Sequence, residues 1–224
     1  MAKYTKVIEF YGLPGCGKTT LCERLKEQCE RDGYTAGVLT DVTKIGTLPC
    51  LLRAFSLKDL CWLTKWCISI KMDNHSSFKI AIAPYKRLLI YRCAKLFSNY
   101  DYVFIEHGVV QSMVSALYGT IDYHFVLEKS FSIRLLENTQ ADLFVNCHVE
   151  VQEAFKRIRI RNRTTSGRFD QMPDSKLMTI LDEQMGEFGF LSKQLDEIGH
   201  HVEWIDNGLS LESSLENCRK LISI

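Results

Sequence analysis

A chain of 224 residues, 46% of them apolar, carries enough material for one continuous core, and one domain over residues 1–224 is expected. Lys and Arg number 28 against 27 for Asp and Glu, which excludes a global electrostatic attraction to nucleic acid or to a membrane surface. Nine cysteines, an odd count without CxxC spacing, exclude a disulfide frame and a zinc ribbon and read as buried thiols in a reducing compartment.

The first strand-like run, Val7–Tyr11, begins so early that no secretory leader is expected. It leads into Gly12-Leu13-Pro14-Gly15-Cys16-Gly17-Lys18-Thr19, which fits G-x-x-x-x-G-K-[ST] between an apolar strand and an amphipathic helix. Glycines at these positions let successive N–H groups point inward at phosphate oxygens, and the first helical turn adds further donors and a positive dipole end. Lys18, read as an exposed loop lysine, supplies a point charge to the β- and γ-phosphates, and the Thr19 hydroxyl is placed for Mg²⁺. The expected donor-nucleotide contacts are Gly12, Pro14, Gly15, Cys16, Gly17, Lys18, Thr19 and Thr20.

The helix from Thr19 to Arg31 has Leu21, Cys22, Leu25 and Cys29 on one face and stops at Gly33. A second strand, Thr35–Thr40, ends at Asp41, which is read either as a general base facing the acceptor or as a helix or turn cap. Residues 48–97 form a helical insertion between strands two and three with nine basic residues, Lys95 the last, against Asp59 and Asp73 alone. Its longest apolar stretch, Cys61 to Ile70, is broken by Lys65 and falls short of the roughly 20 residues of a membrane span, so the cytoplasm is the expected location.

The third strand, Tyr102–Ile105, runs into Glu106-His107-Gly108. Ligands of open parallel sheets sit beyond the carboxyl ends of the strands, so Glu106 should emerge beside the phosphate loop and help hold Mg²⁺, partly through water. His107 reads first as a hydrogen-bonded structural residue. Helical patterns follow at Val109–Tyr118 and Ser130–Asn138, and a fourth strand at Leu143–Cys147. From Val151 onward, Arg157 with Arg161 and Arg159 with Arg163 form like-charged pairs at four-residue spacing, an arrangement that calls for an anion. The polar stretch after them makes residues 161–172 a candidate lid over a bound nucleotide. A helix from Pro173 to Ile198, interrupted at Gly186 and Gly189, a fifth strand at Val202–Ile205 and a helix from Leu209 to Ile222 complete the chain. Near-continuously apolar strands alternating with helices predict a three-layer α/β/α fold around a five-stranded parallel sheet.

The phosphate loop, Asp101 to Gly108, Asp142 to Val145 leading into Glu153 to Arg163, and Val202 to Asn207 together resemble the thymidylate kinase and deoxynucleoside kinase group of P-loop kinases along nearly the whole chain. The resemblance implies that Arg161 and Arg163 contact phosphates and that Arg157 and the loop after Asp206 flank the adenine. The chain departs from that group at Glu106-His107-Gly108, where thymidylate kinases place Asp-Arg and deoxynucleoside kinases Glu-Arg-Ser.

The expected activity is therefore transfer of the γ-phosphate of ATP, with Mg²⁺, to a small acceptor. Lys18, Glu106 and Arg161 would serve the chemistry, with Asp41 or Glu106 assisting the acceptor hydroxyl. The basic insertion suits an acceptor already bearing phosphate or carboxylate, and a homodimer is compatible with the sequence. The competing class is an ATPase that acts as a regulator or assembly protein and signals through the insertion.

Overall fold

The computed structural model describes residues 4–38, 61, 64, 83–97, 99–117, 130–161, 169, 171–208 and 210–222. Its elements are β1 (Lys6–Tyr11), α1 (Lys18–Arg31), β2 (Ala36–Val38), α2 (Ala83–Phe97), β3 (Tyr102–Ile105) and α3 (Val109–Leu117), then α4 (Ser130–Glu137), β4 (Leu143–His148), α5 (Val151–Ile160), α6 (Asp174–Glu197), β5 (Val202–Asp206) and α7 (Leu211–Ile222). The five strands form one all-parallel sheet in the order β2-β3-β1-β4-β5.

The central strand has helices on both sides. Val7, Ile8, Phe10 and Tyr11 are all fully buried although they point alternately to opposite faces. α1 packs with α7, while α2 packs with α3 and α3 with α6. The edge strand β5 is less covered, and Trp204 is 54% exposed on it. Gly186 and Gly189 do not interrupt α6, because its buried stripe, including Leu181, Phe188 and Leu191, holds the helix against the core while nothing crowds the two glycines. Five of the described cysteines, Cys16, Cys22, Cys29, Cys147 and Cys218, are buried thiols as expected, whereas Cys61 is exposed. No helix among the described residues is long and apolar enough to cross a membrane.

One buried carboxylate ties three elements together beneath the site. Glu9, in the middle of β1, is fully buried. Its Oε2 accepts a hydrogen bond from Tyr91 of α2 at 2.5 Å, and its Oε1 accepts one from the Val110 N–H at 2.9 Å and a longer one from the Gln111 N–H at 3.4 Å. Val109 N–H in turn donates to the Tyr91 hydroxyl at 2.9 Å. A carboxylate thus takes up donors that the first turn of α3 leaves unpaired, at the positive end of its dipole. Gly108 leaves room for this joint. A Cβ there would lie 1.8 Å from the Tyr91 hydroxyl and 2.3 Å from the Glu9 carboxyl carbon.

Burial pushes the Glu9 carboxyl up to about 7, against the hydrogen bonds from Tyr91, Gln111 and Val110 that pull it down. The folded chain therefore holds this proton to a higher pH than the unfolded chain does, so the corresponding stability is present at acid pH and lost as pH rises through about 7. The unfolding free energy of the native protein minus that of Glu9→Gln should fall by about 2–3 kcal/mol between pH 5 and pH 8. Urea titrations of both proteins check this, and curves that stay parallel across the range would refute it. Gly108→Ala should cost about 2–4 kcal/mol in the same measurement, since its methyl group displaces Tyr91 from Glu9.

Candidate active site

The loop leaving β1 is seated from below by the ends of β4 and β5. Asn207, just after β5, donates through its side chain to the Cys16 carbonyl and through its N–H to the His148 carbonyl at 2.8 Å. Gly17 is left-handed at φ 90°, and a Cβ on it would lie 2.8 Å from the Asn207 side-chain nitrogen, so the loop closes this tightly only with glycine there. α1 begins at Lys18 with no side-chain cap and no acidic residue in its first turn. Its first N–H groups are not taken up by a capping side chain, the condition under which a helix start accepts an anion.

Lys18 is not the exposed lysine that the sequence suggests. It is buried at 9% exposure, and its Nζ donates to the carbonyls of Gly12 and Leu13, both at 2.9 Å, and contacts Cys16 Sγ at 3.3 Å. The ammonium lies across the inside of its own loop, where burial would otherwise leave those carbonyls short of donors. Burial alone would raise the Cys16 thiol, but its hydrogen bond with Cys147 and the Lys18 ammonium hold it below the ordinary thiol range. The same hydrogen bond and burial push Cys147 well up.

Parallel pairing of Glu9 with Ile105 brings the end of β3 out beside this loop. A cleft of about 530 Å³ opens there, and Pro14, Gly15, Gly17, Lys18, Thr19, Thr20, Glu106 and Arg161 all line it. Residues that the loop motif does not name line it too: Gln111 and Ser115 of α3 and Gln184 of α6. The Gln111 side-chain oxygen accepts from the Gly12 N–H at 3.3 Å, joining α3 to the loop, and the Ser115 hydroxyl donates to the Gln111 carbonyl at 2.8 Å. Two residues that line the cleft each carry a buried oxygen without a hydrogen-bond partner, Glu106 Oε2 and Gln184 Oε1. His107 stands at the exposed rim. Desolvation and the Lys18 ammonium keep its imidazole below the ordinary value, with Glu106 opposing. Arg87 of α2 also belongs to this corner, where burial lowers it while Tyr91, Glu9 and Glu106 favour its charge.

Two of the arginines of this helix already have partners within the chain. Arg157 Nε bonds Glu153 at 2.8 Å and its Nη1 bonds the Asn207 carbonyl at 3.0 Å. Arg159 binds Asp174, the first residue of α6, at 2.7 Å and the carbonyls of Met172 and Phe169 at 2.5 and 3.2 Å. Carboxylates and carbonyls of the chain itself thus offset part of the like-charge repulsion. Arg161, just past α5, is exposed and faces both the main cleft and a second hollow of about 440 Å³. That hollow is lined by Gly15, Gly17, Thr20, Arg157, Ile160, Asn207 and Leu211 in addition, so Arg157 and the residues after Asp206 do share one recess beside the loop.

Asp41, Arg163, most of the expected lid and residues 48–60 and 65–82 of the insertion lie outside the described residues. In the described part of the insertion, Lys95 pairs with Asp142 at 2.5 Å, before the amino end of β4 and away from the cleft, whereas Arg87 stands near Glu106. The signals for the residues that motif reading missed were present. Glu9 is a lone acid inside Val7–Tyr11, and Gln184 interrupts an apolar helical stripe. Gln111 has no such mark, because its role depends on which turn of α3 meets the loop.

No family model matches the chain, and no match is found among curated proteins. Solved structures do match over nearly its whole length. Deoxyadenosine kinase from M. mycoides with dCMP and a flexible dCDP bound is 15% identical, with a TM-score of 0.58 over 97% of this chain and 100% of that one. The same enzyme with dATP bound is 13% identical, with a TM-score of 0.55 over 98% and 100%. With dCTP bound it is again 13% identical, with a TM-score of 0.57 over 97% and 100%. Strand order, parallel pairing and this full-length superposition together give the chain the fold of the P-loop deoxynucleoside kinases.

Proposed function

We propose that the chain is an ATP-dependent phosphotransferase of nucleoside kinase type, acting on a small acceptor. The observation that carries this reading is that the phosphate loop, Glu106 and the polar side chains of Gln111, Ser115 and Gln184 line one cleft of about 530 Å³. The fold shared with deoxyadenosine kinase supports the same assignment.

In this reading the loop amides and the start of α1 receive the triphosphate, and the Lys18 ammonium exchanges the carbonyls of Gly12 and Leu13 for phosphate oxygens. Arg161 sits at the junction of the two hollows, where a guanidinium can spread the charge of a transferring phosphoryl group. Arg157 and Leu211 form the recess for the purine. Thr19 and Glu106 are hard oxygen donors on the same cleft, and the unpartnered Glu106 Oε2 fits the one-carboxylate support that a phosphate-bound Mg²⁺ needs. Bound there, partly through water, the ion would neutralise phosphate charge. Glu106 or Asp41 would accept the proton of the acceptor hydroxyl.

ATP consumption measured against a panel of nucleosides, nucleotides and phosphorylated sugars tests the proposal. One acceptor should raise turnover at least about tenfold over acceptor-free hydrolysis, and turnover indifferent to all of them supports the regulatory ATPase instead. Lys18→Met should lower turnover by at least about 100-fold. It should also cost about 1–2 kcal/mol of stability, because its buried ammonium closes the loop. Near-native turnover in this variant would dismiss the site. Arg161→Ala should reduce kcat more than it weakens ATP, and a change in ATP affinity alone would count against its assigned part.

A further inference from the structure

Cys22 and Cys29 lie on the buried face of α1 and Cys218 on that of α7, and burial pushes all three thiols up. They are small apolar side chains of the core, inert by surroundings. Cys16 is placed differently, within the phosphate loop. Lys18 Nζ donates to its sulfur at 3.3 Å, and the buried Cys147 thiol, near the end of β4, hydrogen-bonds the same sulfur. Gly12 marks how closely the two residues meet. A Cβ on it would lie 2.5 Å from the Cys147 carbonyl oxygen and 3.3 Å from Cys16 Sγ. The ammonium and the second thiol both favour the thiolate of Cys16, whereas Cys147 keeps its proton. A nucleophilic sulfur beside a protonated partner thiol is the arrangement in which one cysteine reacts with an oxidant and the other completes a disulfide.

The loop motif accepts any residue at position 16, and phosphoryl transfer gives this sulfur no task. We infer that Cys16 and Cys147 form a redox switch of the phosphate loop, in which a hydroperoxide oxidises the pair to a disulfide and nucleotide binding is lost until the bond is reduced. Cys16 Sγ attacks one peroxide oxygen, forming an S–O bond as the O–O bond breaks, and the hydroxide released takes up a proton to leave as water. Cys147 Sγ then gives up its proton and attacks the Cys16 sulfur, so that an S–S bond replaces the S–O bond and a second water departs. The two thiols lose the two electrons that the peroxide gains. Cys16 is itself buried, but Gly15, Gly17 and Lys18 beside it line the cleft, so the segment that covers its sulfur is also a wall open to solvent. The new bond draws Cys16 down towards β4 more closely than a hydrogen bond does, and it removes the negative sulfur that Lys18 faces. The chemistry of the pair is independent of the kinase reading, on which the inference rests only for the nucleotide whose binding is switched.

Hydrogen peroxide is the probe, applied to the reduced native protein. After digestion with trypsin, the peptides Val7–Lys18 and Leu135–Lys156, which carry one cysteine each, should be found joined by a disulfide in the mass spectrum. ATP affinity, measured by calorimetry against the untreated protein, should fall about tenfold or more and return with dithiothreitol. MgATP present during the treatment should slow the joining. Cys147→Ser, compared with its own untreated sample, should give no joined peptide, and dithiothreitol should no longer restore ATP binding because Cys16 proceeds to the sulfinic acid. Unmodified Cys16 and Cys147, a disulfide between other cysteines such as Cys22 and Cys218, or a joined peptide with unchanged ATP affinity would each overturn the switch. These are read on the native chain and do not depend on the variant folding. Untreated native protein that binds no nucleotide overturns the reading of the loop, and the switch with it, whatever the peptides show.

Discussion

Glu9 holds the working corner of the molecule in register. Its carboxylate lies in the strand that feeds the phosphate loop, receives the Tyr91 hydroxyl from α2 and meets the first amides of α3. A buried acid is costly unless paired, and here dipole and hydrogen bonds act on the same two oxygens. Through them, the relative positions of the loop, α2 and α3 are set by contacts within the chain. Gln111, on the first turn of α3, can reach the Gly12 N–H because that turn is anchored one residue earlier at Val110. Gly108 follows from the same constraint. Where deoxynucleoside kinases end their Glu-Arg-Ser with a side chain, this chain places Tyr91 and Glu9 against a bare backbone.

The phosphate loop is supported from beneath by groups that its motif does not name. Asn207 grips the Cys16 carbonyl, Cys147 faces Cys16, and the Lys18 ammonium bridges the loop's own carbonyls. The loop is thus held ready by contacts with β4 and β5, so the order of strands across the sheet bears directly on its shape. Lys18 is held by carbonyls of the loop on which it stands, so the place of its ammonium follows from the shape of that loop.

Much of this was legible in the sequence, for physical reasons. The five apolar runs declared a sheet covered on both faces, and the strand-loop-helix setting of Gly12 to Thr19 is the one the structure has. Glu106 fell beside the loop because parallel pairing forces the ends of β1 and β3 together. What could not be read was pairwise and distant in sequence. Glu9 to Tyr91 spans 82 residues and Cys16 to Asn207 spans 191, and no local pattern encodes either contact. The spacing of the arginines shows like charges along one helix but not Asp174, the partner of Arg159, which lies 15 residues away.

α6 is fastened at two points, by Asp174 to Arg159 at its start and by Ser192 to Tyr11 and Asn146 three-quarters of the way along. Gln184 sits between these moorings, so the stretch that bears it is braced like a beam fixed at both supports. The cleft wall at that position is consequently part of a rigid architecture, tied down on either side of the residue that lines it.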